Sequence, residues 1–368
     1  MQKHRPTLEP GASRAIAVLV LLTVALGLAG CATTHEGPPL DRTIEHRWTD
    51  DIEVMFDTLP RKHKNLFFKL PETEYHRRLS QLNRRAADLS APEFEIALRR
   101  ILADVGDAHT NIGFPYERLF PLQFHSFEEG MYVTAVVAGY EEYLGARLEQ
   151  VENMAVADFR EAAAEITPHD NDSQLAMMTP YYLMMPSVLA GLGIGNSESE
   201  VTYTLVRTGG STSEEVSFPA IERESVTGLV SLRERLSEQD VTLPVSRRAS
   251  EALYRHEYLS DHDAVYVRYN SCREDDSYPM RDFAEDVFET VRAEEAQILV
   301  VDLRSNSGGD SRVLRPFIDG AVEWRRASES TAERPSEDRE LYVLIGRNTF
   351  SSAVLNAIAL KQDAGAVF

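Results

Sequence analysis

Cysteine is nearly absent from this sequence, with two in 368 residues, Cys31 and Cys272. That excludes a disulfide framework and a cysteine-based metal site. Positive charge is also scarce: 38 lysines and arginines face 59 aspartates and glutamates, for a formal charge of −21. A surface so acidic repels phosphate, so nucleic acid is not an expected partner. No apolar run reaches the roughly 20 residues that cross a bilayer as a helix; the longest, Ala15 to Gly30, has sixteen. The glycine patterns of dinucleotide-binding and P-loop folds are missing. No self-similarity recurs at periods of about 20 to 50 residues. Nothing in the chain calls for a metal or an organic cofactor.

What is present begins with an address. Lys3, Arg5 and Arg14 precede the apolar stretch, the order of a signal peptide, which we place at residues 1–31. The stretch ends in Leu28-Ala29-Gly30-Cys31, and small residues before a cysteine resemble a bacterial lipobox. The resemblance implies that the Cys31 thiol takes a diacylglycerol, anchoring the chain to a membrane. Ala32 follows where an aspartate would redirect sorting, which implies an outer-membrane lipoprotein facing the periplasm in a Gram-negative cell. The leader carries more basic than acidic residues, so its removal makes the remainder still more acidic. Residues 32–42, with Gly37, Pro38 and Pro39, suit a flexible tether.

Beyond the tether the chain is too long for one compact core, and its patterning changes twice. In residues 43–115, Ile44, Trp48, Ile52, Met55, Phe56 and Leu59 form an amphipathic stripe. A second helix is expected from Glu72 to Leu89. A third starts at the capping box Ser90-Ala91-Pro92-Glu93 and stops at Gly106, burying Phe94, Leu98, Ile101, Leu102 and Val105. Residues 116–250 turn to short strands, with Gly130 to Val137 and Val201 to Val206 the clearest, around an irregular stretch from Tyr181 to Gly195. Ile221 to Glu251 shows little periodicity and is taken as a connector. In residues 255–368, strands alternate with helical stripes: Ala264 to Tyr269, then Phe283, Val287, Phe288 and Val291, then Ile298 to Val301, Val313 to Ile318, Leu341 to Ile345 and Ser352 to Leu360. Such alternation predicts an α/β domain with a largely parallel layer, and the run Ile298 to Val301 a central strand buried on both faces.

Three short motifs carry chemistry. Val300 to Asp310 runs a strand into a turn holding Gly308 and Gly309. Glycines let backbone N–H groups approach a ligand, which serves an oxyanion hole or a phosphate equally well. Leu341 to Ile345 then delivers Ser351 to the start of a helix, where a serine is either a cap or a nucleophile at the positive end of the helix dipole. Finally Asp107-Ala108-His109-Thr110 follows the capped helix; His109 is either a cap itself or a proton carrier.

Together, and in this order, Asp107-x-His109-Thr110, Asp302-Leu303-Arg304-x-Asn306-x-Gly308-Gly309 and Thr349-x-Ser351-Ser352-Ala353 resemble peptidase family S41, the tail-specific, C-terminal processing and tricorn-like serine peptidases. Trp48, Asp51, His63 to Phe67 and Gly139 to Leu148 resemble it as well, so the likeness covers about Thr43 to Phe368. It implies a multidomain α/β (α+β) protein: a helical domain, a β-rich domain with an insertion, either PDZ-like or of a generic β-rich kind, and a crotonase-like α/β catalytic domain. It also implies a serine-type endopeptidase acting on peptides or proteins. Ser351 matches the nucleophile, His109 the general base, and the N–H of Ser352 with that of Gly309 or Gly308 the oxyanion hole. Ala108 departs from the branch in which a serine orients the histidine, which leaves the orienting group open. Lys361, ten residues after Ser351, lies about 15 Å up a helix axis and cannot supply the lysine base of another branch. The family's domain runs on beyond the strand in which this chain stops, so the domain is expected to be incomplete. The rival reading is a catalytically inactive S41-like envelope lipoprotein that binds peptides. An acyl-CoA enzyme of crotonase type shares the layered fold, but export removes the protein from CoA.

Overall fold

The computed structural model describes residues 47–113, 116–195, 198–226, 228–239, 241–248, 252–327 and 339–368. The expected signal peptide, Cys31 and the expected tether lie outside these residues. The chain divides into two compact units at Thr242.

In the first unit, α1 (Arg47–Glu53) continues into a π-helical turn at Val54–Thr58, followed by α2 (Glu72–Arg85) and α3 (Ala91–Val105). The capping box of α3 closes in both directions. Ser90 Oγ accepts the Glu93 N–H at 3.4 Å, and Glu93 Oε2 accepts the Ser90 N–H at 2.8 Å. Gly106 ends the helix at φ +69°, with its N–H on Leu102 O. Phe94, Leu98, Ile101 and Leu102 of α3 pack among the helices, while Ile96 on the same helix joins the core beneath the β-layer. One helix thus serves two cores, and the segments expected as domains 43–115 and 116–250 cluster as a single unit as far as Val241.

The β-layer is antiparallel. β1 (Leu122–Phe127), β2 (Gly130–Val137), β3 (Arg147–Val151), β4 (Glu200–Val206) and β5 (Ser213–Pro219) lie in that order, and β6 (Leu229–Ser231) pairs with the end of β2. α4 (Val156–Ala164) and α5 (Asp172–Leu183) are inserted between β3 and β4. The stretch from Tyr181 to Gly195, expected to be irregular, is largely helical, because α5 runs into it and a further helix spans Pro186–Gly191. Tyr182, Leu183, Val188 and Leu189 are all buried there. A helix covered on most sides shows no polar stripe to betray its period.

The second unit holds a four-stranded sheet: β7 (Tyr254–Leu259), β8 (Ala264–Tyr269), β9 (Ile298–Asp302) and β10 (Glu340–Leu344), in that order. β8, β9 and β10 run parallel, and β7 joins β8 as an antiparallel hairpin. α6 (Met280–Ala293), α7 (Arg315–Ala327) and α8 (Ser352–Ala364) connect or follow the strands. Val265, Val267, Leu299, Val301, Leu341 and Val343 share one core with Phe283 and Val287 of α6, Phe317 and Ile318 of α7, and Ala357 and Leu360 of α8. β9 is less enclosed than expected: Leu299 and Val301 are fully buried, but Ile298 and Val300 only half so. Alternate side chains point to opposite faces of a strand, and the core covers the face of Leu299 and Val301.

Candidate active site

The site of the second unit is built where β9 and β10 end. Past β10 the turn Gly346 to Thr349 closes on itself. Thr349 N–H donates to Gly346 O at 3.0 Å and Gly346 N–H to Thr349 Oγ1 at 2.9 Å. The Thr349 hydroxyl donates in turn to Leu303 O at 2.9 Å, pinning the turn to the end of β9. Ser351 follows with φ +52° and ψ −124° at the mouth of α8, and its side chain makes no capping hydrogen bond. A non-glycine residue so placed carries about 1–3 kcal/mol of strain. Its neighbours fix it there: Phe350 N–H donates to Asn306 O at 3.1 Å, and Ser352 Oγ to Gly309 O at 2.6 Å. The cap reading of Ser351 is therefore not what its hydroxyl does.

Gly308 and Gly309 stand beside it, with φ of +107° and +134°. A Cβ on Gly308 would lie 2.8 Å from Ser351 Cβ and 3.1 Å from Ser352 N, and one on Gly309 only 2.3 Å from Cys272 O. Glycine is required at both positions by torsion and by space. The hydrogen bonds then sort the amides. Gly308 N–H donates to Asn306 Oδ1 at 2.9 Å, so it is already spent and Gly308 is not an oxyanion donor, contrary to one of the two options from sequence. Cys272 N–H donates to Gly308 O at 3.0 Å, and Asp310 N–H to Cys272 O at 2.7 Å. Among the described residues all peptides are trans, and in a trans peptide the N–H points opposite to the C=O. Gly309 N–H and Gly309 O are therefore both directed away from Cys272, on the side where Gly309 O meets the Ser352 hydroxyl. Ser352 opens α8, so its own N–H has no intrahelical acceptor. The N–H groups of Gly309 and Ser352 are thus left without the partners that hold Gly308 N–H and Asp310 N–H.

The Asp302-Leu303-Arg304 motif supports this turn from below. Asp302 is buried and accepts from Tyr266 OH at 2.5 Å, from Arg304 N–H at 2.9 Å, and from the Arg304 guanidinium at 2.9 and 2.7 Å. Burial alone would raise its pKa, but the bonds from Arg304 and Tyr266 outweigh it and hold the carboxyl below the usual range.

His109 belongs to the first unit, and there Asp107 organises its turn. Asp107 Oδ1 accepts the His109 N–H at 3.1 Å and lies 3.8 Å from His109 Nδ1. Oδ2 accepts from Thr110 Oγ1 at 2.6 Å and pairs with His63 Nε2 at 2.9 Å. Asn65 N–H donates to His63 Nδ1 at 3.1 Å, which places the His63 proton on Nε2, facing Asp107. Burial works to raise the Asp107 pKa, but these bonds bring it below the ordinary value. His63 is the partner that spacing could not reveal, 44 residues from Asp107. Among the described residues no cluster of His, Cys, Asp and Glu is placed to hold a metal ion, and no helix is long and apolar enough to cross a membrane.

The sequence profile of peptidase family S41 matches residues 263–368, the stretch that holds the serine elbow and the diglycine turn. The matched stretch contains β8 to β10 and all four residues Gly308, Gly309, Ser351 and Ser352. Solved structures extend the likeness of fold beyond that segment. Mature CPAF is 15% identical, with 87% of this chain and 82% of CPAF covered at a TM-score of 0.56. Mature CPAF complexed with lactacystin is 13% identical, with 87% and 83% covered at a TM-score of 0.55. No curated relative matches the sequence.

Proposed function

We propose that this chain is a serine-type endopeptidase of the bacterial cell envelope, with Ser351 as nucleophile and His109 as general base. What carries the reading is Ser351 itself, strained at φ +52° with its hydroxyl out of the helix cap, beside the outward N–H groups of Gly309 and Ser352. The hydroxyl attacks the scissile carbonyl carbon while its proton passes to His109. Charge on the former carbonyl oxygen is met by the two N–H groups, a contribution of about 10²–10³ in rate for each donor. His109 returns the proton to the leaving amine, and water, deprotonated by the same imidazole, releases the acyl group from Ser351. Asp107 orients His109, in the place left open by Ala108. The PDZ-like part is proposed to gather the peptide by adding it as a strand to a sheet edge.

Labelling with a fluorophosphonate tests the chemistry: the wild type should label and Ser351→Ala should not. An unlabelled wild type would turn the reading toward a peptide-binding protein without catalysis. The envelope location rests on the lipobox at Cys31. Metabolic palmitate should label the wild type but not Cys31→Ala, and the variant should leave the membrane fraction.

A further inference from the structure

We propose that Asn306 is the positioning residue that decides which amide of the diglycine turn faces Ser351. The inference rests on the peptidase reading for its kinetic consequence, but not for its geometry. Asn306 is fully buried, at 0% exposure, and both ends of its amide are committed. Nδ2 donates to Tyr269 O at 3.1 Å, and Oδ1 accepts Gly308 N–H at 2.9 Å and the Cys272 thiol at 3.4 Å. Its own carbonyl accepts Phe350 N–H at 3.1 Å, one residue before Ser351. A single residue therefore ties the end of β8 and the turn after β9 through its side chain, and the approach to α8 through its carbonyl.

Glycine at 308 gives the turn freedom that other residues lack, so something must choose between rotamers of its peptide planes. Asn306 Oδ1 makes the choice by taking the Gly308 N–H, an amide that would otherwise be a buried donor without an acceptor, which is costly. That fixes the Ser307–Gly308 plane; the next plane hinges on it at the Gly308 Cα, where Gly308 O accepts Cys272 N–H and Gly309 N–H is turned out on the opposite side. Without the Oδ1 acceptor, the Gly308 N–H has reason to rotate toward the open side and solvent, and the turn about the Gly308 Cα then strains the Cys272 N–H bond that orients the Gly309 N–H. Asn306 thus acts on catalysis without touching substrate.

Two measurements decide the matter. Residue-resolved amide hydrogen exchange in the wild type should find Gly308 protected at least about 100-fold more than Gly309; the reverse order would overturn the proposal whatever the activity. Asn306→Ala, checked for an intact circular dichroism spectrum, should lose the Gly308 protection and slow fluorophosphonate inactivation by about 10²–10³. The loss should fall on the inactivation rate constant and leave reagent affinity within about threefold, because binding does not use the oxyanion donors before attack. Should the variant not fold, the wild-type exchange order still decides. A wild type that fails to react refutes the peptidase reading alone. A folded Asn306→Ala that reacts as fast as the wild type refutes the positioning role.

Discussion

Gly309→Ala offers the sharpest test of the turn geometry, because its cost separates into two parts. The first is torsional: at φ +134° an L-residue meets roughly 1–2 kcal/mol of steric strain or more. The second comes from space. The new Cβ would stand 2.3 Å from Cys272 O and 2.9 Å from Cys272 C, both main-chain atoms that cannot swing aside. The bridge between Cys272 and Gly309 must part, with loss of the hydrogen bonds Cys272 N–H to Gly308 O and Asp310 N–H to Cys272 O. At about 0.5–1.5 kcal/mol each, the total becomes roughly 2–5 kcal/mol. Gly365 is the control. It also has positive φ, +68°, but the nearest atom to a Cβ there is Arg325 Nη2, in ordinary contact at 3.5 Å. Gly365→Ala should therefore show the torsional part alone. Urea unfolding can compare the two if Trp324, buried in the second unit, is the only reporter. A Trp48→Phe background provides this and keeps an aromatic ring against Phe94. Coincident midpoints for the two glycine variants would refute the claim that the Cys272 strand crowds Gly309.

Other expectations follow from the same structure. Ser90→Ala removes the cap of α3 and should destabilise the first unit by about 1 kcal/mol, seen as a lower urea midpoint by Trp48 fluorescence with Trp324→Phe. Asp107→Ala frees His63, Thr110 and the His109 N–H together. Fluorophosphonate labelling should slow by at least about tenfold, and unchanged labelling would remove Asp107 as the group that orients His109. Asp302 has a depressed pKa when folded, so its contribution is present above the unfolded value, about 3.9, and is lost as pH falls through the folded value. The unfolding free energy of the wild type should therefore drop below about pH 4 more steeply than that of Asp302→Asn; parallel curves would show that Asp302 titrates normally.

How much of this was legible in the sequence depends on how local each signal is. The cap of α3 was complete in Ser90, Glu93 and Gly106, three to sixteen residues apart, and the structure uses all three. The helix Leu232–Glu238 carries the same signal, with Ser231 and Glu234 closing a capping box. It sits in a segment taken as a connector because a helix of two turns has too few apolar positions to show a period. β7 went unseen because its residues are mostly half-buried and alternate weakly. The diglycine was legible as a turn, yet not which amide it exposes, since that depends on Asn306 Oδ1 and on Cys272, a residue 36 positions before Gly308. His63 was quoted only as part of a family likeness, and its bond to Asp107 appears once the chain is folded.

That division has a physical root. Caps, turns and stripes are bonds between near neighbours, and their residues can be selected together within a short window. The features that prepare Ser351 are long-range. Thr349 reaches Leu303, Phe350 reaches Asn306 and Ser352 reaches Gly309, each across more than forty residues. These contacts join the ends of β9 and β10, which only the parallel pairing of the strands brings side by side. Strain at one serine persists because several such bonds oppose its relaxation. The serine elbow and the diglycine turn are therefore one mechanical object, and weakening either should relax the other. Asn306→Ala should thus also loosen Phe350, and amide exchange at Phe350 should rise together with that at Gly308. Exchange at Gly308 rising alone would show two independent turns that happen to touch.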